Sequence, residues 1–159
     1  MKFLLLLAFV AVAAAMRTCE SEEAEKKFIA SHFQRFFNIS TEKAQECIVI
    51  SGVTLANLRY WEDKLDSEEN EITDRESMKK ACCALVCCAQ KRGLMIGTKI
   101  QMQEVFESIA IFPVEVNNIL RDVTVVCEEQ VREQKDECLV GCNFFKCVMD
   151  RSHPLLQQL

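Results

Sequence analysis

The amino-acid sequence predicts an all-α, disulfide-stapled fold, and three observations lead there. Apolar residues recur at helical spacing nearly throughout, with no strand-period alternation. Four Gly and two Pro interrupt 159 residues, too few breakers for a turn-rich β architecture. Ten cysteines, an even number, accompany an apolar leader, and that combination reads as a disulfide framework in an oxidising environment.

The leader comes first. Lys2 supplies a positive n-region, and residues 3–15 (FLLLLAFVAVAAA) form an apolar run ending in small residues. This predicts a secretory signal peptide over residues 1–15, cleaved after the A-x-A-like Ala13-Ala14-Ala15. The run falls short of the roughly twenty apolar residues that span a bilayer, and no later segment reaches that length. The remaining residues, 16–159, have the size of one domain. Losing Lys2 takes the formal charge from -5 to -6. An acidic chain without a basic cluster argues against nucleic acid and against anionic membrane surfaces as partners.

Residues 20–37 form the first predicted helix, with Ile29, Phe33, Phe36 and Phe37 on one stripe. Ser40 opens a second, shorter helix that carries Cys47 and is interrupted at Gly52. Residues 54–61 (TLANLRYW) supply a further turn or two, and the polar stretch 62–76 reads as an exposed, mobile loop. The pattern turns helical again over 77–92, and Gly93 stands in the C-cap position. Thr98 and Gln101 suggest a capping box for a helix bearing Met102, Phe106 and Ile109. Pro113 ends it and can serve as the first residue of the next helix, which shows Val116, Leu120, Val123 and Cys127 at core spacing. A last helix over 134–150 places Cys138, Cys142, Phe145 and Met149 on one face.

The cysteines are Cys19, Cys47, Cys82, Cys83, Cys87, Cys88, Cys127, Cys138, Cys142 and Cys147. Cys83-x3-Cys87 could be half of a zinc set, but His32 and His153 lie far from it in sequence, so no metal is expected. Cys82 and Cys88 sit six residues apart on one predicted helix. Their Cα atoms would be about 10 Å apart, beyond the roughly 7 Å that a bridge tolerates. Counting from Cys47, thirty-five residues lead to Cys83, three to Cys87, thirty-nine to Cys127, ten to Cys138 and eight to Cys147. This order of spacings resembles the six-cysteine pattern of the insect odorant-binding proteins. Cys83-ALV-Cys87 and Cys138-LVGCNFFK-Cys147 are its diagnostic segments, with smaller echoes in Gly52-Val53 and Gly93-Leu94-Met95.

The resemblance covers Cys47 to Cys147 and implies six or so helices around an internal apolar pocket. It also implies the interlocked pairs Cys47–Cys87, Cys83–Cys138 and Cys127–Cys147. The chain departs from the pattern by adding Cys19, Cys82, Cys88 and Cys142. With all four oxidised and Cys82–Cys88 excluded, two arrangements stay open. One is Cys19–Cys82 with Cys88–Cys142; the other is Cys19–Cys88 with Cys82–Cys142.

A chain of this size buries enough core to fold without cross-links. An internal pocket of the usual ~300–1,000 Å3 forfeits packing that bridges could offset. Candidates to line such a pocket are Phe33, Phe37, Leu85, Met95, Met102, Phe106, Ile109, Phe112, Val116, Ile119, Phe144, Phe145 and Val148. Tyr60 and Trp61, the only Tyr and Trp, could offer a polar handle, although a half-buried structural role is the favoured reading. In the resembled family the tail after Cys147 can fold over or into the pocket, and a frayed terminus accounts for the same segment equally well. Asn38-Ile39-Ser40 is the one N-glycosylation sequon.

Catalysis finds no purchase in the sequence. Cys82-Cys83 on a helix is shared with secreted calcium-dependent phospholipases, but Ala84-Leu85-Val86 replaces the His-Asp that would activate water. No nucleophile elbow, phosphate loop or His-Glu-x-x-His motif occurs. The resulting expectation is a secreted, extracellular, non-enzymatic carrier of odorant-like, pheromone-like or lipid-derived molecules, with a small apolar ligand as partner and no cofactor. A membrane receptor and a second copy of the chain stay open as further partners. The alternative is a cysteine-rich interaction or defence protein with a solid core.

Overall fold

The computed structural model describes residues 22–66 and 74–157. Within them seven helices and one minimal hairpin come in the order α1 (Glu22–Phe37), α2 (Thr41–Ser51), α3 (Leu55–Asp66), α4 (Arg75–Arg92), β1 (Met95–Ile96), β2 (Lys99–Ile100), α5 (Met102–Ile109), α6 (Val114–Val131) and α7 (Glu137–Leu156). The expected leader, residues 1–15, and Cys19 lie outside the described residues.

Helix α1 buries Ile29, Ala30, Phe33 and Phe37. The expected stripe is corrected at one position, because Phe36 stays 48% exposed. It stands one residue before Phe37, about 100° around the helix, so both cannot face the core. Asn38 then takes a left-handed φ of 51°, and the Ile39 amide donates back to the Gln34 carbonyl at 3.2 Å, closing the helix with a Schellman-type bond. Ser40 is the N-cap of α2, its hydroxyl accepting from the Lys43 amide, and Gly52 closes α2 at φ 63°. That conformation favours glycine.

Helix α3 runs to Asp66 and α4 starts at Arg75, so residues 62–66 and 75–76 of the expected loop are helical; residues 67–73 lie outside the described ones. Polar composition marked a solvent-facing helix end there, since Glu and Lys are good helix formers. Asp74 caps α4 by accepting from the Ser77 amide, and Gly93 ends it at φ 88°. Beyond Gly93 stands an element that no sequence pattern announced. Met95 pairs with Ile100 and Ile96 with Lys99 in an antiparallel hairpin that turns through Gly97 at φ 55°. Thr98 lies in that turn, and the expected capping box does not form: Gln101 is the N-cap of α5 and makes no side-chain cap bond.

Pro113 is extended (φ -52°, ψ 152°) and caps α6, whose first helical residue is Val114. Helix α7 begins at Glu137, not at 134, because Asp136 caps it by accepting from the Leu139 amide. It continues through Pro154 to Leu156, so residues 148–156 of the tail are helical. Pro154 sits close enough to the end that only one late backbone bond is lost.

Two apolar clusters fill the interior around α4. The larger joins α1, α2 and α3 to Ala81, Ala84 and Cys88; the smaller gathers Val86, Met95, Val131 and Val140. Among the described residues, three disulfides clamp the same helix to its neighbours and a fourth joins α6 to α7. Cys47–Cys87 ties α2 to α4, Cys82–Cys142 and Cys83–Cys138 tie α4 to α7, and Cys127–Cys147 ties α6 to α7. Three of these join the cysteines that the resemblance pairs. The fourth selects the second of the two open arrangements, whose remaining pair is Cys19–Cys88. Gly141 allows the close approach of α4 and α7, since a Cβ there would overlap the Val86 side chain.

Candidate functional site

The thirteen pocket candidates separate into two groups by where the fold places them. Phe33 and Phe37 are buried in the larger cluster, with Leu85 and Phe145 half-buried against it. Met95 is buried in the smaller cluster, with Phe144 against it. These six pack with the protein's own interior. Met102, Phe106, Ile109, Phe112, Val116, Ile119 and Val148 belong to neither cluster, and all seven are half-buried.

Six of those seven are neighbours along the chain. They occupy α5, the α5–α6 turn and the first two turns of α6. Helix α5 (MQEVFESI) has one apolar face and one charged face, yet none of its residues is fully buried. A helix of that patterning normally sinks its apolar stripe into a core; this one leaves Met102, Val105, Phe106 and Ile109 partly accessible. Its anchorage is to α6. The Arg121 guanidinium lies 4.1 Å over the Phe106 ring, and the Asn117 side-chain amide donates to the Ile109 carbonyl at 2.8 Å. Beside them Ile111 and Val114 are 83% and 71% exposed. The α5–α6 corner is therefore an apolar surface bordered by a guanidinium and an amide. It can take up an apolar body and offer hydrogen-bond donors to a carbonyl, hydroxyl or carboxylate.

Covalent constraint stops short of that corner. No cysteine lies between Cys88 and Cys127, so the hairpin, α5 and the first half of α6 carry no bridge. The clamped frame of α2, α4, α7 and the end of α6 lies on either side of this stretch in sequence.

Tyr60 and Trp61 serve the frame. The Tyr60 hydroxyl accepts from the Asp74 amide at 2.8 Å, holding α3 against the start of α4. Trp61 is buried and lies 5.5 Å from the Phe145 ring. His153 is half-buried on α7, 3.0 Å from the side chain of Gln157. Arg121 and Asn117 were missed in the sequence because a single Arg or Asn on a helix carries no signal of its own; only the fold brings them to Phe106 and Ile109.

Cys88 is fully buried and makes no bridge among the described residues. Burial pushes its thiol up to about 12. An open depression of about 420 Å3 lies elsewhere, between α6 and α7, lined by Gln130, Asn143, Lys146, Cys147, Asp150 and Arg151. Its lining residues are polar or charged apart from Cys147, and none of the apolar candidates is among them. Among the described residues no group of three His, Cys, Asp or Glu could hold a metal ion, and no helix is long and apolar enough to cross a membrane. The chain matches no family model, no curated protein and no solved structure.

Proposed function

We propose that this chain is a secreted carrier of small hydrophobic molecules, odorant-like, pheromone-like or lipid-derived, built on the plan of the odorant-binding proteins. One observation carries the reading: an amphipathic α5 whose whole apolar face remains half-accessible, set beside a frame clamped by four disulfides. The cysteine spacings supply the second support. Binding works by burial. A guest that loses 200–300 Å2 of apolar surface to the protein gains on the order of 5–8 kcal/mol before ordering costs, at roughly 25 cal/mol per Å2. The Arg121 guanidinium and the Asn117 amide orient the polar end of the guest, and no covalent step is involved.

The test is titration of the purified, oxidised protein with a fluorescent apolar probe, and then displacement with volatile and fatty compounds. Saturable one-to-one uptake, reversed by competitors, supports the carrier; the absence of saturable uptake refutes it. A second reading, an interaction or defence protein with a solid core, is favoured by Val49 and Ile50, which stand 71% and 76% exposed on α2. That reading predicts no probe uptake and a stable complex lost on Val49→Ser with Ile50→Ser.

A further inference from the structure

The α1–α2 turn holds a feature that ligand carriage does not use. We propose that Asn38 carries an N-linked oligosaccharide whose first sugar stacks on the ring of Phe36. Asn38-Ile39-Ser40 has the acceptor pattern, and the fold presents it outward. Asn38 and Ser40 are exposed, while Ile39 between them is buried. The left-handed φ of Asn38 and the Ile39-to-Gln34 bond fix the turn at the end of α1.

Both polar residues also cap helices, and capping alone would account for an Asn at 38 and a Ser at 40. Capping does not account for Phe36. It lies two residues before the acceptor and is 48% exposed, whereas Phe33 and Phe37 are buried. Its ring makes T-shaped contacts with Phe37 at 4.9 Å and with Phe145 at 6.1 Å, so it is steadied while about half of the residue stays open to solvent. An aromatic face is electronegative and attracts the C–H-bearing face of a pyranose ring. Phe36 thus fits as the platform for a sugar attached two residues on.

The order of folding leaves the acceptor accessible. Four disulfides indicate an oxidising folding compartment, where lipid-linked oligosaccharide is also supplied. None of these bridges can close before Cys87 has emerged, forty residues after Cys47, and the sequon precedes both. In the transfer, the Asn38 amide nitrogen forms a bond to the anomeric carbon of a lipid-pyrophosphate-linked oligosaccharide. The bond from that carbon to the phosphate oxygen breaks, its electron pair leaves with the lipid pyrophosphate, and the amide gives up one proton. No oxidant or reductant is needed.

The experiment uses the full chain secreted from a glycosylating eukaryotic host, with intact mass read before and after peptide-N-glycosidase treatment. The expected result is a mass loss on treatment and conversion of asparagine to aspartate at position 38, marked by heavy oxygen from the solvent. Asn38→Gly keeps the left-handed turn and Ser40→Asp keeps the helix cap, and each should abolish the added mass, while Ser40→Thr should retain it. Secretion at bare polypeptide mass, with Asn38 unmodified and a control sequon protein glycosylated in the same cells, overturns the site. Stacking is read separately. Removing the sugar should lower the melting midpoint of the wild type and leave that of Phe36→Ala unchanged; an equal shift in both overturns the Phe36 contact.

Discussion

Cys88 and Gly141 show how single positions on the α4 face are constrained. With Cys82 and Cys142 bonded to each other, the cysteine left for Cys88 is Cys19. The oxidised protein should therefore show no alkylatable thiol in denaturant and should yield a Cys19–Cys88 linked peptide on non-reducing digestion. Cys19→Ser should release one thiol that stays inert to alkylation at about pH 8, near the ordinary thiol range, until the protein unfolds. Burial raises that thiol from its ordinary value of about 9 to about 12, so the folded state holds the proton more tightly than the unfolded one. In that variant the thiol's contribution is intact below about pH 9 and is lost as pH rises toward about 12, which urea midpoints across the range would record. Gly141 has a purely steric role. Gly141→Ala would push a methyl into Val86, between two bridges that prevent α4 and α7 from separating, and should cost about 1–3 kcal/mol by denaturant titration.

Among elements, α5 differs from every other helix by keeping no side chain fully covered, and under the proposed carriage this would separate stability from binding. Phe33→Ala, in the α1 core, should cost about 3–5 kcal/mol. Phe106→Ala removes a half-covered ring and should cost clearly less in the same chemical denaturation, yet lower probe affinity several-fold. Equal losses of stability in the two variants would mean that α5 is a core helix. Much of the helical order was legible in the sequence. Ser40, Gly52, Gly93 and Pro113 punctuate the chain where the structure does, because capping and left-handed turns are local properties of one or two residues. The hairpin at Met95–Ile100 was not legible: two paired residues a side give no periodicity, and Gly97 alone is weak punctuation. The α3 extension was hidden for the opposite reason, since Glu62, Asp63 and Lys64 suit a loop and an exposed helix equally. At the site, the apolar residues were named from composition and spacing. Which of them pack with the interior and which remain open depends on tertiary placement, which spacing does not encode.

At the scale of the whole molecule, the bridges run α2 to α4 to α7 to α6, with α4 and α7 joined twice within about one helical turn. In the chain-entropy account, loops of twenty to sixty residues contribute about 3–4.5 kcal/mol each. Their combined loss rivals or exceeds the net stability of a typical domain, about 5–15 kcal/mol. Reduction should therefore lower the melting midpoint by tens of degrees and abolish probe uptake in mild conditions where far-ultraviolet circular dichroism still reports helix. Retained uptake after full reduction would show that the frame does not shape the site.

The cysteine-poor stretch from the hairpin through the first half of α6 has a consequence for survival among proteases. A nick anywhere in it cuts the polypeptide, but Cys82–Cys142 and Cys83–Cys138 still hold the two pieces together. Electrophoresis should show one band without thiol and two with it. If the chain carries a guest as proposed, a single clipped peptide bond would free it from a particle that has lost no residue.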